Sequence, residues 1–520
     1  MAINSINTKL EEMGKIIEYN SRLLTQLTPY WNYNPSSLLG SHIQAEFSQM
    51  RSWLEQLHCD TQTVLREIQE IIENYIDFQR GRHVQGHELK DTQGVCEIFF
   101  QYLSDVDDQF NQLHINRMTT LMCTLDNFPE YVINTWWTDV LRFMQELLKS
   151  TLIFEEQPPT IIRKDKKFHA KVRWLIGSKI ETFANIDQLT GIATILNNEM
   201  VKNVKQGVCS EQSVSKIQNG MAKFEINQNG EVSAKLRECK IMLINRNGSK
   251  DSDKKIHEKF AVLFRTRIVW NNTAIDIPLL SLPLCLATHV HQDENLHAML
   301  MWDYAFAAKD RLAFEVPDTV QWFQLAEILS RMWNNSIGSH LTDAHLKYLY
   351  HKIFFNTNPA EAEDPGQFVT WDQIARANLP GQNFTFWSWF YGAMKLIEDK
   401  FKDYWNAGYI CGYISRNQAR IQLESQPAGT FLFRFSNSSN GKLAIDVRTT
   451  DDVLSYGPFK FKSISREMGE RSLNNFIRDC EELNFLYPNL PVSDVFPRSF
   501  ARVRGYSLGY RDFKRNYTLK

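Results

Sequence analysis

Over residues 1–152 apolar side chains recur every three or four positions, as in Leu54, Leu57, Leu65, Ile68, Ile72 and Tyr75, with little proline between them. That period predicts amphipathic helices. Breaks at residues 29–41, 83–94 and 127–130 divide the stretch into four. Four such helices with short connections bury their stripes most simply as an antiparallel bundle. Trp136, Trp137 and Phe143 are assigned to its core rather than to a ligand. At Gln157-Pro158-Pro159 the pattern changes to short alternating runs at 168–176, 231–236 and 261–269, separated by turn pairs such as Asn229-Gly230 and Asn247-Gly248. This is the signature of an all-β sandwich or barrel, ending near residue 305. Helical spacing returns over 306–400, as in Trp322, Leu325, Ile328, Leu329 and Trp333, and marks a small helical domain. After Trp405 strands at 429–436 and 442–447 mix with helices at 415–422 and 472–480, an α+β module of about a hundred residues.

Composition narrows the classes. With 520 residues, 43% hydrophobic positions and thirteen tryptophans, the chain has enough apolar surface for several cores and excludes wholesale disorder. A formal net charge of −2 means that affinity for nucleic acid has to come from local basic patches. The eight cysteines stand singly, without a C-x-x-C pair, which suits neither a zinc knuckle nor a disulfide scaffold and points to a reducing compartment. The start MAINSINTKLEEMGK has no apolar signal core, and the apolar stretch 275–290 holds Asp276, Pro278 and Pro283, so a soluble, intracellular chain without membrane insertion is expected. No internal repeat, Walker loop, G-x-S-x-G elbow, H-E-x-x-H or kinase signature is present, so an enzyme reading starts without a motif, and no cofactor is implied.

The most informative segment is Gly429-Thr-Phe-Leu-Phe-Arg-Phe-Ser436. Strand alternation puts Phe431, Phe433 and Phe435 on one face and Leu432, Arg434 and Ser436 on the other. A strand-held guanidinium followed by hydroxyls at Ser436, Ser438 and Ser439 suits a phosphoryl dianion, with Arg416 on the preceding helix as a second charge. On these residues alone, an arginine paired with a carboxylate across the sheet is an equal alternative. Basic candidates for a nucleic-acid surface are Arg163, Lys164, Lys166, Lys167, Lys171 and Arg173 near the start of the β domain, and Arg246, Lys250, Lys254, Lys255 and Lys259 before a later strand. Contacts of this kind position a duplex without reading it. His289-Val-His291 with His297, Asp293 and Glu294 also allows a zinc reading, which no nearby cysteine pair supports.

The strand 429–436 resembles the phosphotyrosine-binding strand of SH2 domains, with Arg434 in the place of the phosphate-binding arginine. Further segments extend the resemblance to the STAT family, the signal transducers and activators of transcription. Trp405-Asn-Ala-Gly-Tyr-Ile-Cys-Gly-Tyr-Ile-Ser415 is similar to the start of the family's SH2 domain, Leu486-Tyr-Pro-Asn489 to its end, and Asn383-Phe-Thr-Phe-Trp-Ser-Trp389 to its linker domain. Leu152-Ile-Phe-Glu-Glu-Gln-Pro158 resembles the junction of coiled coil and barrel, and residues 168–175 the first barrel strand.

The resemblance implies a four-helix coiled-coil domain at 1–152, an all-β immunoglobulin-like DNA-binding barrel at 153–305, a helical linker domain at 306–400, an α+β SH2 domain at 401–497 and a phosphotyrosine tail at 498–520. It implies a cytoplasmic and nuclear transcription factor that shuttles on activation. A kinase would phosphorylate a tail tyrosine, two copies would exchange tails through their SH2 pockets, and the homodimer would grip a near-palindromic site on double-stranded DNA. Further partners are a tyrosine kinase or phosphorylated receptor and transcriptional coactivators, in the defence or developmental signalling the family usually serves.

By position Arg434 is the main phosphate ligand, Ser436 and Ser438 are hydroxyl donors, and Arg416 stands where members often carry Lys; Asn437 occupies a place that is often Glu. Tyr517 is favoured as the phosphorylated residue over Tyr510 and Tyr506, about 20 residues beyond Phe496 and so within a reach of roughly 60 Å. His289 takes the place of a base-reading Asn, and Thr190-Gly-Ile-Ala-Thr-Ile-Leu196 is neutral where a basic strand is expected. With no separate amino-terminal domain and no activation tail expected, tetramers on tandem sites would be weak and activation would depend on a coactivator. The alternative is a cytoplasmic phosphotyrosine-binding adaptor with little DNA binding.

Overall fold

The computed structural model describes residues 2–27, 41–81, 89–115, 129–164, 166–208, 213–241, 258–270, 273–287, 292–355, 364–459, 473–478 and 480–496. It forms two compact units, Met1–Leu296 with Asp303–Glu315, and His297–Trp302 with Val316–Lys520.

The first unit opens with α1 (Ala2–Leu27), α2 (Ser41–Gln79), α3 (Leu89–Ile115) and α4 (Glu130–Ser150). Each follows its apolar stripe: Ile6, Leu10, Met13 and Ile17 of α1 and Ile133, Trp136, Val140, Phe143 and Leu147 of α4 are buried. Both α1 and α4 lie beside α2 and α3. Trp137 sits at the edge of this core, its indole N–H donating to Asp107 Oδ1 at 2.7 Å. The expected break at residues 83–94 is shorter than the polar sequence suggests, because α3 begins at Leu89.

Nine strands follow among the described residues: β1 (Leu152–Glu156), β2 (Ile161–Arg163), β3 (Phe168–Trp174), β4 (Thr190–Leu196), β5 (Ser215–Ile226), β6 (Val232–Ile241), β7 (Lys259–Trp270), β8 (Thr273–Leu280) and β9 (Leu284–Ala287), with α5 (Asn198–Lys205) after β4. They hydrogen-bond in the order β1-β3-β6-β5-β4-β7-β9-β2, with β8 on β7. Gly230, at φ 75°, lies in the tight turn between β5 and β6, where the left-handed backbone conformation favours glycine. Helices and sheet share one continuous apolar core from Ile6 to Leu286. Polar contacts fix the joint: Gln79 Nε2 donates to the Phe154 carbonyl at 2.8 Å and the Trp174 indole to the Leu148 carbonyl at 3.0 Å.

Two basic residues read from sequence as surface candidates are structural. Arg173 is buried in this joint, donating to Gln93 Oε1 at 2.6 Å and pairing with Glu231 at 2.8 Å and Glu155 at 3.3 Å. Lys259 is not on a loop but opens β7, where Asp303 pairs with it at 2.6 Å and with Arg311 at 2.5 Å. Burial lowers the Lys259 pKa, against the opposing pull of Asp303. Desolvated cations need such a partner, so neither side chain is available to a duplex.

In the second unit β10 (Thr319–Gln321) leads into α7 (Trp322–Ile337) and then α8 (Asp343–Ile353), after α6 (Asp293–Phe306), which supplies residues to both units. β11 (Phe368–Thr370), antiparallel to β10, leads to α9 (Trp371–Ala375) and α10 (Phe386–Leu396). Then come α11 (Lys402–Asn406), α12 (Arg416–Glu424), β12 (Thr430–Phe435), β13 (Leu443–Arg448), β14 (Val453–Phe459), α13 (Leu473–Arg478), β15 (Phe485–Leu486), β16 (Leu490–Pro491) and α14 (Val492–Val495). The five strands are ordered β14-β13-β12-β15-β16.

One aromatic cluster joins the helical part of this unit to its sheet. Trp333 of α7 packs against Trp405 at 4.7 Å, Tyr413 at 5.3 Å and Phe435 at 6.1 Å between ring centroids. Tyr413 also meets Trp389 and Phe390 of α10. Gly412, at φ 71°, is needed there: a Cβ would stand 2.4 Å from the Trp405 ring. Among the described residues no helix is long and apolar enough to cross a membrane.

Candidate functional site

β12 is buried along its whole length, on two chemically different faces. Phe431 and Phe433 pack with Phe496, while Leu432 packs with Ala419 and Leu423 of α12 and with Val453. Alternation therefore holds Arg434 on the α12 side, as its sequence position requires. Antiparallel pairing sets Asp446 of β13 opposite Leu432 and Ser455 of β14 opposite Asp446, so all three polar side chains share a face.

Arg434 Nε donates to Asp446 Oδ2 at 2.5 Å, and Ser455 Oγ bonds the other carboxylate oxygen. Arg434 is 6% exposed and Asp446 1%. The cross-sheet ion pair weighed from sequence is thus present in this structure, and it leaves room for the second reading. Nη1 has only the Phe435 carbonyl at 3.4 Å, and Nη2 has no partner among the described residues. A carboxylate that fixes Nε orients the far edge of the guanidinium, which can still offer two parallel N–H groups to a phosphoryl oxygen pair.

The segment after Arg434 is built against α8 and α10. Trp389 Nε1 donates to the Ser436 carbonyl at 2.8 Å, and Tyr348 Oη donates to Asn437 Oδ1 at 2.5 Å. Ser438 N donates to Ser436 Oγ at 3.3 Å, and the two hydroxyls lie 3.4 Å apart. Ser436 is buried and Ser438 exposed. Arg416 is exposed at the first position of α12 and has no ion pair among the described residues. Its helix starts on a capping box: Ser415 Oγ accepts from Gln418 N at 3.0 Å, and Gln418 Oε1 from Ser415 N at 2.8 Å. Ser415→Ala is expected to cost about 1 kcal/mol of unfolding free energy, measured by urea denaturation, with little change in far-ultraviolet dichroism.

Three residues of this site escaped the sequence reading. Asp446 had a signal, being a lone charge in the apolar run Leu443-Ala-Ile-Asp-Val447. Tyr348 had none. Lys352, one helical turn further along α8, likewise had none; its ammonium lies 4.5 Å from the Trp389 ring centroid.

The basic surface is distributed unevenly. Lys164, Lys166 and Lys167 are exposed beyond β2, with Lys167 paired to Glu238 at 2.6 Å. Lys164 N donates to the carbonyl of Ala287 at 3.4 Å, at the end of β9 and two residues before His289 in sequence. Arg163 pairs with Asp293, and Lys171 with Glu155 at 2.5 Å. His297 stacks on Tyr391 at 5.4 Å. His289, His291, Arg246, Lys250, Lys254, Lys255, Tyr506, Tyr510 and Tyr517 lie outside the described residues.

Residues 156–286 match the family model described as "STAT protein, DNA binding domain", and residues 309–390 that of the "Signal transducer and activator of transcription, linker domain". Residues 409–478 match the SH2 domain model. A Drosophila melanogaster protein, "Signal transducer and transcription activator", is 29% identical over 485 residues, covering 91% of this chain and 60% of the relative. The chain therefore spans less than two thirds of that relative's length.

Proposed function

The chain belongs to the STAT family, and from that premise we propose that it is a signal transducer and transcription activator, switched on by tyrosine phosphorylation and acting on DNA as an SH2-linked homodimer. The observation that carries this reading is the guanidinium of Arg434, fixed through Nε with its far edge directed away from Asp446 and followed by the Ser436 and Ser438 hydroxyls. A phosphotyrosine from the tail of a second copy, Tyr517 by preference, would dock there, Arg416 adding charge from α12. Two linked copies would present Lys164 and Lys167, with Lys250, Lys254, Lys255 and His289, to a near-palindromic duplex. Chains would move from cytoplasm to nucleus after a receptor-associated kinase acts, and would recruit coactivators there.

The test is binding of the purified chain, before and after phosphorylation of Tyr517, to a duplex with a TTC-spacer-GAA palindrome and to a scrambled duplex, at one fixed salt concentration because phosphate contacts dominate affinity. The proposal expects phosphorylation-dependent preference for the palindrome. Equal weak binding of both duplexes in both states would favour a cytoplasmic phosphotyrosine adaptor. That alternative draws support from the neutral β4, Thr190–Leu196, where a basic strand is expected, and from histidine at position 289, whose donor and acceptor layout differs from that of an amide.

A further inference from the structure

The linker helix α8 brings a cation beside the segment that follows β12. Tyr348 and Lys352 stand four residues apart on α8, so they share a face. Tyr348 bonds Asn437, and the ring beneath Lys352, Trp389, bonds the carbonyl of Ser436. Tyr348 and Trp389 are thus tied to the two residues that follow Phe435. Lys352 is half-buried and has no carboxylate partner among the described residues. Arg434 has one, Asp446. Two cations and one carboxylate leave a net positive charge at a partly desolvated site, which favours an incoming anion.

We infer that Lys352 is a phosphate-binding residue of the phosphotyrosine pocket, contributed by the linker helix and acting with Arg434 on the phosphoryl group. The inference rests on the phosphotyrosine reading of Arg434 and deepens it. Arg416 on α12, the second cation expected from sequence, is exposed and more strongly screened, so its contribution is the smaller of the two. A phosphoryl dianion carries close to two negative charges above pH 7 and so is drawn to these cations more strongly than a singly charged carboxylate would be.

The ammonium carries a signature of its own. Burial, and then the charge of Arg434, push the Lys352 pKa down to about 8. Its charge is therefore present at pH 7 and lost as pH rises through that value, while a bound dianion would hold the proton on. The titratable groups packed around Trp389 and along α8 keep their state over this range. Arg434 is paired with Asp446. Burial pushes the Tyr348 phenol up to about 12, the Cys411 thiol up to about 11 and the Tyr413 phenol well above its usual range. Burial keeps His345 below its ordinary value and so neutral.

Phenyl phosphate, which carries the phosphoryl group without peptide contacts, and a synthetic peptide of residues 511–520 phosphorylated at Tyr517 would be titrated calorimetrically against the full chain at pH 7 and pH 9. Lys352→Met is expected to weaken both ligands about tenfold at pH 7 and to abolish most of the pH dependence. The parent should lose several-fold affinity between the two pH values, and Lys352→Arg should bind well at both. Thermal melts of each variant separate lost binding from lost folding. Lys352→Met binding as tightly as the parent, with the same pH profile, would overturn the inference, most directly if Arg416→Met weakens binding instead. If Arg434→Lys also binds both ligands as tightly as the parent, the phosphotyrosine reading itself has failed.

Discussion

Replacing Arg434 with alanine is expected to lower phosphotyrosyl-peptide affinity at least about 100-fold, because it removes two charge-assisted hydrogen bonds worth roughly 1.5–3 kcal/mol each. The same change should also unsettle the fold. From sequence, Arg434 reads as a side chain in an open pocket whose loss leaves folding intact. In the structure it is 6% exposed and is the partner of a carboxylate that is 1% exposed. Deleting one member of a buried pair strands the other, a cost of about 3–5 kcal/mol. A combined Arg434→Met and Asp446→Asn variant removes both charges and should recover most of the stability while remaining unable to bind. Thermal unfolding and peptide titration of the single and double variants distinguish the two effects, and a double variant that binds phosphopeptide like the parent would refute the pocket assignment.

The second large effect is expected far from any ligand. Trp333→Ala removes the ring on which Trp405, Tyr413, Phe390 and Phe435 converge, at a site with 0% exposure. The cavity and lost transfer energy together should cost about 3–5 kcal/mol. In a unit of this size that corresponds to a fall in melting temperature of about 10 °C. Because Phe435 directly follows Arg434, phosphopeptide affinity should fall as well, even at temperatures where the variant is folded. Trp333→Phe is the informative control. It keeps a ring and deletes an indole N–H that has no acceptor among the described residues, so it should cost less than half as much. Equal melting temperatures for Trp333→Ala and the parent would mean that the cluster does not hold the unit together.

The legible parts of the fold were those with a strong period. Trp322, Leu325, Leu329 and Trp333 fall on the buried stripe of α7 where their spacing puts them, with Ile328 at its edge. Polar residues around Gly94 read as a break, yet the chain there is already helical, because Gln93 is held by the Gly230 carbonyl at 3.3 Å and by Arg173. A contact across 137 positions leaves no mark in a local window. The same limit applies to β12. Alternation told which side chains share a face, and the motif singled out Arg434, but only the packed sheet sets Asp446 against its Nε. The linker helix residues Tyr348 and Lys352 were invisible for a further reason: their spacing marks one helix face, and nothing in the chain says that this face meets the segment after Arg434.

The shared aromatic cluster has a consequence for how such chains can be cut and recombined. A segment excised at residue 401 would carry Trp405, Tyr413 and Phe435 but lose Trp333, Trp389 and Phe390, leaving a greasy, unpaired face where an interior had been. The heritable cassette is then the linker and SH2 segments together with His297–Trp302 of α6, rather than a module cut at the boundary that the sequence pattern marks. Swapping SH2 modules between relatives should succeed in pairs with their own linkers and fail alone.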